Sequence, residues 1–192
     1  MRVKLIVDTI ADLGLVGMPN AGKSTLISSI TRSRPKIASY AFTTINPNLG
    51  QIKFVDNKNI SIVDIPGLIE GASENKGLGH EFLNHCVRSK IIIFVIDMSL
   101  EGLVPPWEQY RILKKELSNY SKEFESKQEV IVGTKEDLKG AKENAEGFEI
   151  LTGKKPILVS SKTSKNLSQL IRELREMVHG DHGPQEGSET RF

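Results

Sequence analysis

The sequence predicts a three-layer α/β fold in which a mostly parallel, six-stranded sheet is covered by helices on both faces. Short apolar runs rich in valine and isoleucine alternate with helical patterns along the 192 residues, which favours parallel strands joined by helices. Two consecutive strand segments are separated only by residues 56–59, which predicts a hairpin. We therefore expect one antiparallel edge strand in the sheet.

Six segments have the length and composition of buried strands. They are Leu13–Val16, Ile52–Val55, Ile60–Ile65, Ile91–Ile96, Val130–Val132 and Ile157–Val159. Five segments between and after them have helical patterns. They are Lys23–Thr31, Gly79–Arg88, Trp107–Tyr120, Glu136–Leu151 and Asn166–Val178. Pro106, directly before Trp107, is typical of a helix start because proline suits the first helical turn.

The predicted domain covers residues 11–178, after an N-terminal extension or linker at 1–10. Residues 179–192 lack apolar periodicity, so we expect a disordered tail there. The formal net charge of +2 does not by itself indicate a nucleic-acid or membrane partner. The single cysteine, Cys86, excludes an internal disulfide and fits a reducing, intracellular compartment. The longest apolar run, Ile91–Ile96, is too short for a membrane span.

Residues 17–24 match the phosphate-binding pattern G-x-x-x-x-G-K-[ST] between a predicted strand and a predicted helix. Glycines let backbone N–H groups turn towards phosphate oxygens, and the helix N-terminus adds free N–H groups and the positive end of its dipole. Lys23 would reach the β- and γ-phosphates, and Ser24 would ligate Mg²⁺. The alternative, a glycine turn beside an unrelated lysine, is disfavoured by the context. The predicted phosphate-binding residues are Gly17, Asn20, Ala21, Gly22, Lys23, Ser24 and Thr25.

Two segments after the first helix are predicted to contact Mg²⁺ and the γ-phosphate. Asp64 and Gly67 form a D-x-x-G segment at the end of a predicted strand. The carboxylate can hold Mg²⁺ through water, and the glycine N–H can bond the γ-phosphate. In the loop before the hairpin, Thr44, in preference to Thr43, would give Mg²⁺ a second hydroxyl ligand. The alternatives are an ordinary Pro-Gly turn and an extended entry to the next strand.

Thr134, Lys135 and Asp137 follow a predicted strand and indicate recognition of guanine. The carboxylate of Asp137 can accept hydrogen bonds from guanine N1–H and N2–H₂, which adenine does not offer. The aliphatic stem of Lys135 can lie on the base plane. The usual pattern at this place is N-K-x-D, so Thr134 predicts lower affinity with selectivity retained. The alternative is a solvated charge cluster at a helix start.

Ser160, Ser161 and Lys162 follow the last predicted strand and resemble the S-A-K loop whose backbone N–H contacts guanine O6. The order of the five segments is that of a P-loop NTPase of the Ras-like GTPase type. A P-loop kinase or ATPase that uses ATP is the rival enzyme, and the guanine-type segments disfavour it.

Several segments resemble the Obg family of ribosome-assembly GTPases. They are residues 14–24, 42–50, 66–72, 77–79 and 82–85, within a resemblance that covers roughly residues 10–178. The departures from the family pattern are Thr134 for asparagine and Ser161 for alanine. The glycine-rich N-terminal domain of the family is absent from the sequence, so the chain is similar to an isolated GTPase domain.

The resemblance implies Mg²⁺-dependent hydrolysis of GTP to GDP and phosphate, with weak nucleotide affinity and fast exchange. It also implies binding to the large ribosomal subunit or its precursor, and thus to ribosomal RNA and proteins, as a switch in subunit assembly. The expected compartment is the cytoplasm or an organelle such as the mitochondrion. A monomer is expected.

Catalysis is expected to be slow because Leu68 stands where Ras-type enzymes have a water-positioning glutamine. A histidine from the following segment, His80 or His85, is a disfavoured substitute. The predicted catalytic residues are Lys23, Thr44, Gly67 and Asn20. In GTPases that resemble this chain, an asparagine at the position of Asn20 helps to bind K⁺, so K⁺ is a second candidate cofactor. The non-enzymatic rival is a nucleotide-gated binding module that hardly turns over.

Overall fold

The structure, a computed structural model, describes residues 11–31, 36–37, 48–65, 89–102 and 104–180. Its strands are β1 Leu13–Gly17, β2 Lys36–Ile37, β3 Asn48–Ile52, β4 Ile60–Asp64, β5 Ile91–Asp97, β6 Gln128–Thr134 and β7 Ile157–Leu158. Its helices are α1 Lys23–Ile30, α2 Pro106–Tyr120, α3 Ala141–Thr152 and α4 Leu167–His179. A 3-10 helix, Lys122–Ser126, joins α2 to β6.

The strands form one sheet in the order β2-β3-β4-β1-β5-β6-β7. Strands β4, β1, β5, β6 and β7 are parallel to their neighbours in this series, and β3 is antiparallel to both β2 and β4. The mostly parallel sheet with one antiparallel strand is therefore confirmed, and the structure adds the two-residue strand β2 beside β3. The carboxyl ends of the parallel strands meet at one edge, where ligands bind in such sheets.

The first strand of the hairpin lies earlier in the chain than the sequence predicts. The strand predicted at Ile52–Val55 is wrong in its bounds, because β3 ends at Ile52 and the following residues form the turn. Val55 is 91% exposed, and the Phe54 N–H donates to the Asn59 side chain at 3.1 Å. Strand β3 contains polar residues and a glycine, so it has no run of apolar residues by which the sequence could predict it.

The helix predicted from Glu136 begins five residues later, at Ala141. The intervening residues turn instead, since Lys135 and Gly140 both have positive φ angles, of 61° and 80°. That turn keeps residues 135–137 at the edge of the sheet. The helix predicted at Gly79–Arg88 lies outside the described residues, as do the extension at 1–10 and residues 181–192 of the predicted tail.

The sheet separates two hydrophobic cores. Alternate residues of β5 point to opposite faces, with Phe94 in one core and Ile93 in the other. The first core includes Tyr110 of α2 and Phe148 of α3. The second core lies against the other two helices, and its members include Leu26 of α1 and Leu15 of β1. The three-layer arrangement predicted from the sequence is thus built around the apolar strands. Among the described helices, none has the length and apolarity to cross a bilayer.

Replacing Phe148 by alanine should destabilise the fold strongly. Its ring is completely buried and lies edge-on to Tyr110, with centroids 5.7 Å apart. Loss of such a ring costs about 3–5 kcal/mol in free energy of unfolding, measured by urea denaturation. Ile150→Ala on the same helix is the control, because Ile150 is 83% exposed and should change stability by no more than about 0.5 kcal/mol. Equal losses for both variants would contradict this packing.

Candidate nucleotide-binding site

The loop between β1 and α1 needs glycine at both of its fixed positions. A Cβ on Gly17 would lie 2.6 Å from the Val95 carbonyl oxygen, so a side chain there would push β1 away from β5. Gly22 has a φ of +90°, which side-chain-bearing residues rarely adopt. Between them the chain turns tightly, with Asn20 at a φ of 63° and the Ala21 N–H donating to the Met18 carbonyl at 3.1 Å. The loop is therefore compact, as the motif predicts.

Lys23 lies across this loop. Its Nζ donates to the Gly17 carbonyl at 2.7 Å and lies 3.4 Å from the Met18 carbonyl. Burial lowers the pKa of the Lys23 ammonium below its ordinary value, and the nearby negative charge of Asp64 partly opposes that shift. A partly desolvated cation in a loop of backbone donors is suited to multiply charged anions.

The first turn of α1 favours an anion for two further reasons. It carries no acidic residue, and its N-cap, Gly22, supplies no side-chain cap. The free N–H groups and the helix dipole thus face no competing carboxylate within the turn. Ser24 and Thr25, the second and third residues of the helix, are exposed.

The predicted Mg²⁺ ligands that the structure describes are close in the fold. Asp64 ends β4, is 5% exposed, and pairs in parallel register with Leu15 two residues before the loop. Its charge acts on Lys23, which follows the loop. A carboxylate and the Ser24 hydroxyl are hard oxygen donors of the kind Mg²⁺ prefers, so this donor set fits the ion. Thr44 and Gly67 lie outside the described residues.

Thr134 connects the predicted base-recognition segment to the phosphate loop. It is the last residue of β6 and is 4% exposed. Its hydroxyl donates to the Ala21 carbonyl at 2.7 Å and lies 3.1 Å from the Ile96 carbonyl. The residue that departs from the N-K-x-D pattern therefore holds the two loops together through a buried hydrogen bond.

Lys135 makes a contact that the sequence did not reveal. Its Nζ lies 2.6 Å from Asp97 Oδ2, and Asp97 ends the neighbouring strand β5. The other oxygen of Asp97 accepts hydrogen bonds from the Ser99 N–H at 2.9 Å and the Ser99 hydroxyl at 2.7 Å. The sequence feature that could have indicated this contact is the position of Asp97 at the carboxyl end of a parallel strand, where ligands bind in such sheets.

Asp137 is exposed and is held by Ser160. The Ser160 hydroxyl donates to Asp137 Oδ1 at 2.6 Å, and it accepts a hydrogen bond from the Thr163 N–H at 3.2 Å. The Ser160 hydrogen bond lowers the pKa of the Asp137 carboxyl, and the charge of Lys162 adds to this effect. The carboxylate is therefore ionised at neutral pH and presented to solvent.

The two base-recognition segments are fastened to each other at two further points, and one more hydrogen bond closes the second segment on itself. The Glu136 N–H donates to the Val159 carbonyl at 3.1 Å, and the Glu136 carboxylate pairs with Lys165 Nζ at 2.6 Å. The Ser160 N–H donates to the Lys165 carbonyl at 3.1 Å, which closes the loop that contains Ser161. Sequence reasoning placed these segments together and missed the Glu136–Lys165 pair that holds them.

The model of the 50S ribosome-binding GTPase family matches residues 12–135, which is more than half of the chain. The chain belongs to this family. Within it, the chain is 41% identical to GTPase Obg of Lactobacillus johnsonii over 177 residues, which cover 92% of the chain and 41% of that protein. It is 44% identical to GTPase Obg of Bacillus licheniformis, over 92% of the chain and 42% of that protein. The predicted resemblance to Obg GTPases is confirmed.

A further relative of this chain comes from Oryza sativa subsp. japonica. It is named a probable GTP-binding protein OBGM, mitochondrial. It is 52% identical over 139 residues, covering 70% of the chain and 26% of that protein. The chain spans about two fifths of the length of the bacterial relatives it matches.

Two solved structures share the fold. Aquifex aeolicus Era bound to GDP·AlF₄⁻ matches with a TM-score of 0.63 and 23% identity, over 85% of this chain and 55% of Era. The G domain of the T. maritima FeoB iron transporter matches with a TM-score of 0.62 and 21% identity, over 88% of this chain and 98% of that domain. The predicted Ras-like P-loop fold class is confirmed.

Removing the Thr134 hydroxyl should weaken nucleotide binding. In Thr134→Val the Ala21 carbonyl loses its buried donor while the side-chain volume is kept, so we expect a loss of about 1–3 kcal/mol in binding free energy for both GDP and GTP. Fluorescence titration measures this loss. Thr152→Val is the control, because the Thr152 hydroxyl donates to the Phe148 carbonyl within α3. Unchanged affinity in Thr134→Val would show that the link between the loops is dispensable.

Proposed function

We propose that this chain binds GTP with Mg²⁺ and hydrolyses it to GDP and phosphate, as a switch in assembly of the large ribosomal subunit. The hydrogen bond of Thr134 to the Ala21 carbonyl carries this proposal. It joins a loop suited to phosphates to a segment suited to guanine, so that one nucleotide can span both. The phosphate loop alone would not distinguish a guanine-nucleotide site from a general phosphate site.

At the phosphate end, the proposed role of Lys23 is to neutralise the β- and γ-phosphates. On nucleotide entry its Nζ would exchange the Gly17 carbonyl for phosphate oxygens. The N–H groups of the loop and of the first turn of α1 would bind the remaining oxygens. Ser24 and Asp64 would hold Mg²⁺, which supplies charge neutralisation between the phosphates. Thr44 and Gly67 are proposed to complete this end from outside the described residues.

At the base end, the proposed role of Asp137 is to accept the two guanine hydrogen bonds. Its lowered pKa keeps the carboxylate charged, and an acceptor-only group fits N1–H and N2–H₂. Ser161 and Lys162 are proposed to line the guanine O6 side through the backbone of their loop. The fastening of this loop by Lys165 supports that placement.

The role in ribosome assembly is proposed from the family. The matching model describes a 50S ribosome-binding GTPase, and the relatives include Obg GTPases. We propose a monomer whose GTPase domain covers residues 11–178 and whose partners are ribosomal RNA and proteins. For the compartment we propose the cytoplasm or an organelle such as the mitochondrion, and the relative named mitochondrial supports the second.

Replacing Asp137 by asparagine should shift the preference from GTP towards xanthosine triphosphate. Asparagine keeps one acceptor for N1–H and presents a donor where xanthine presents a carbonyl. Guanine therefore loses the hydrogen bond from N2–H₂ and meets a donor there, and xanthine gains one hydrogen bond. We expect GTP affinity to fall at least about tenfold, in line with about 1.4 kcal/mol or more. Competition between the two nucleotides measures the shift. Asp56→Asn, which removes the partner of Arg175 on the hairpin, is the control and should leave the preference for GTP intact. A variant that still prefers GTP as strongly as the parent would refute the base assignment.

Hydrolysis should be faster in K⁺ than in Na⁺ at equal ionic strength. Asn20 lies in the phosphate loop in a left-handed conformation, and a cation beside it would neutralise charge that develops on the transferring phosphoryl group. We expect a difference of about tenfold, less than an arginine finger supplies. Asn20→Ala should remove most of this difference while GDP binding survives. Initial rates in matched buffers decide the matter, and equal rates for the parent protein would leave catalysis to a ribosomal partner.

A further inference from the structure

Asp97 is held in place by contacts on both sides of its carboxylate. It ends β5 and is 7% exposed. Oδ1 accepts two hydrogen bonds from Ser99, and Oδ2 pairs with Lys135 Nζ at 2.6 Å. A buried carboxylate is held in one orientation when each of its oxygens has a donor in this way. The Asp97 side chain is therefore a fixed anchor for the Lys135 ammonium.

The backbone of Asp97 is fixed by a second buried side chain, Gln109 of α2. Gln109 is 3% exposed, and its Oε1 accepts from the Asp97 N–H at 3.1 Å. Its Nε2 donates to the Asp97 carbonyl at 3.2 Å and to the Val104 carbonyl at 2.8 Å. The amide thus occupies both backbone groups of Asp97, as a neighbouring strand would. Asn144 of α3 holds the next residue by donating to the Met98 carbonyl at 2.9 Å.

Lys135 needs such an anchor because of its backbone. Its φ is 61°, a conformation that costs energy for a residue with a side chain, and its side chain is 32% exposed. The long stem has many rotamers in solution, and fixing them costs entropy. With its ammonium paired to Asp97, the stem is held near the turn that also presents Asp137.

We infer that Asp97 and Gln109 are positioning residues for the base site, which act by fixing Lys135 so that its stem forms one wall for the base. This inference rests on the proposed guanine-nucleotide function and deepens it. Neither residue touches the base. The anchoring chain runs from Gln109 to the Asp97 backbone and from the Asp97 carboxylate to Lys135. A merely structural Asp97 would affect the fold, and its effect on nucleotide affinity would not depend on Lys135.

The test is a double-mutant cycle on GDP affinity with Asp97→Asn and Lys135→Met. Asparagine keeps the acceptor for Ser99 and turns the other group into a donor that faces the ammonium. Methionine keeps an apolar stem and removes the ammonium. We expect each single variant to weaken GDP about tenfold, as for loss of a charge-assisted contact, and the double variant to be weakened about tenfold as well. GTP should weaken by the same factor as GDP, because the contact lies away from the γ-phosphate.

A matched control is Asp12→Asn, which removes an ion-paired carboxylate at the amino end of β1. Asp12 pairs with Lys90 at 3.0 Å, on the opposite edge of the sheet from Asp97, and its loss should leave GDP affinity unchanged. Unchanged affinity in Asp97→Asn, or a loss of about a hundredfold in the double variant, would overturn the inference. If Asp97→Asn does not fold, Gln109→Met replaces it in the same cycle. A parent protein that fails to bind GDP would refute the proposed function, and this outcome is distinct from a failure of the cycle.

Discussion

The hydrogen bond from the Thr134 hydroxyl to the Ala21 carbonyl is the constraint on which the rest of the site depends. The phosphate loop follows β1 and the base-recognition turn follows β6, and β5 lies between these strands. Two strand spacings separate them by about 10 Å. A nucleotide has a fixed span between its base and its phosphates, so the two loops must keep a fixed separation. The sheet sets that separation, and the hydrogen bond from the buried hydroxyl links the loops beyond the strand ends.

The charges around the site are arranged so that one carboxylate remains available. Asp97 is paired with Lys135, Glu136 is paired with Lys165, and Asp64 acts on Lys23. Asp137 differs from all of them, because it is exposed and makes no ion pair with the described residues. Its hydrogen bond from Ser160 orients one oxygen and stabilises the charge without neutralising it. Pairing Asp97 and Glu136 with lysines lowers the cost of holding several negative charges near a binding site for an anion.

The parts predicted well from the sequence are those where the backbone dictates the residue type. Gly17 and Gly22 are required by a close approach and a positive φ, so the motif carries its own geometry. The position of strand β3 was predicted wrongly because the strand contains exposed polar residues such as Gln51, so it lacks a continuous apolar run. The Asp97–Lys135 pair spans 38 residues and arises from strand order, which local periodicity does not encode. The left-handed conformation of Lys135 is likewise not encoded in local periodicity, so the sequence did not predict that α3 begins as late as Ala141.

Threonine at position 134 separates two properties that the base-recognition segment combines. A hydroxyl donates one hydrogen bond, and here that bond goes to the Ala21 carbonyl, so Thr134 supplies the donor that couples the loops. An asparagine amide would add a planar acceptor and a second donor, which a rotating hydroxyl does not reproduce. In the proposed function the base edge is addressed by Asp137, which is held by Ser160 after a different strand. The strength of the coupling between the loops can therefore change at position 134 while the hydrogen-bond pattern offered to the base stays the same. Affinity and base selectivity then depend on different residues, and a threonine that suits the buried end of β6 is compatible with a guanine-selective site.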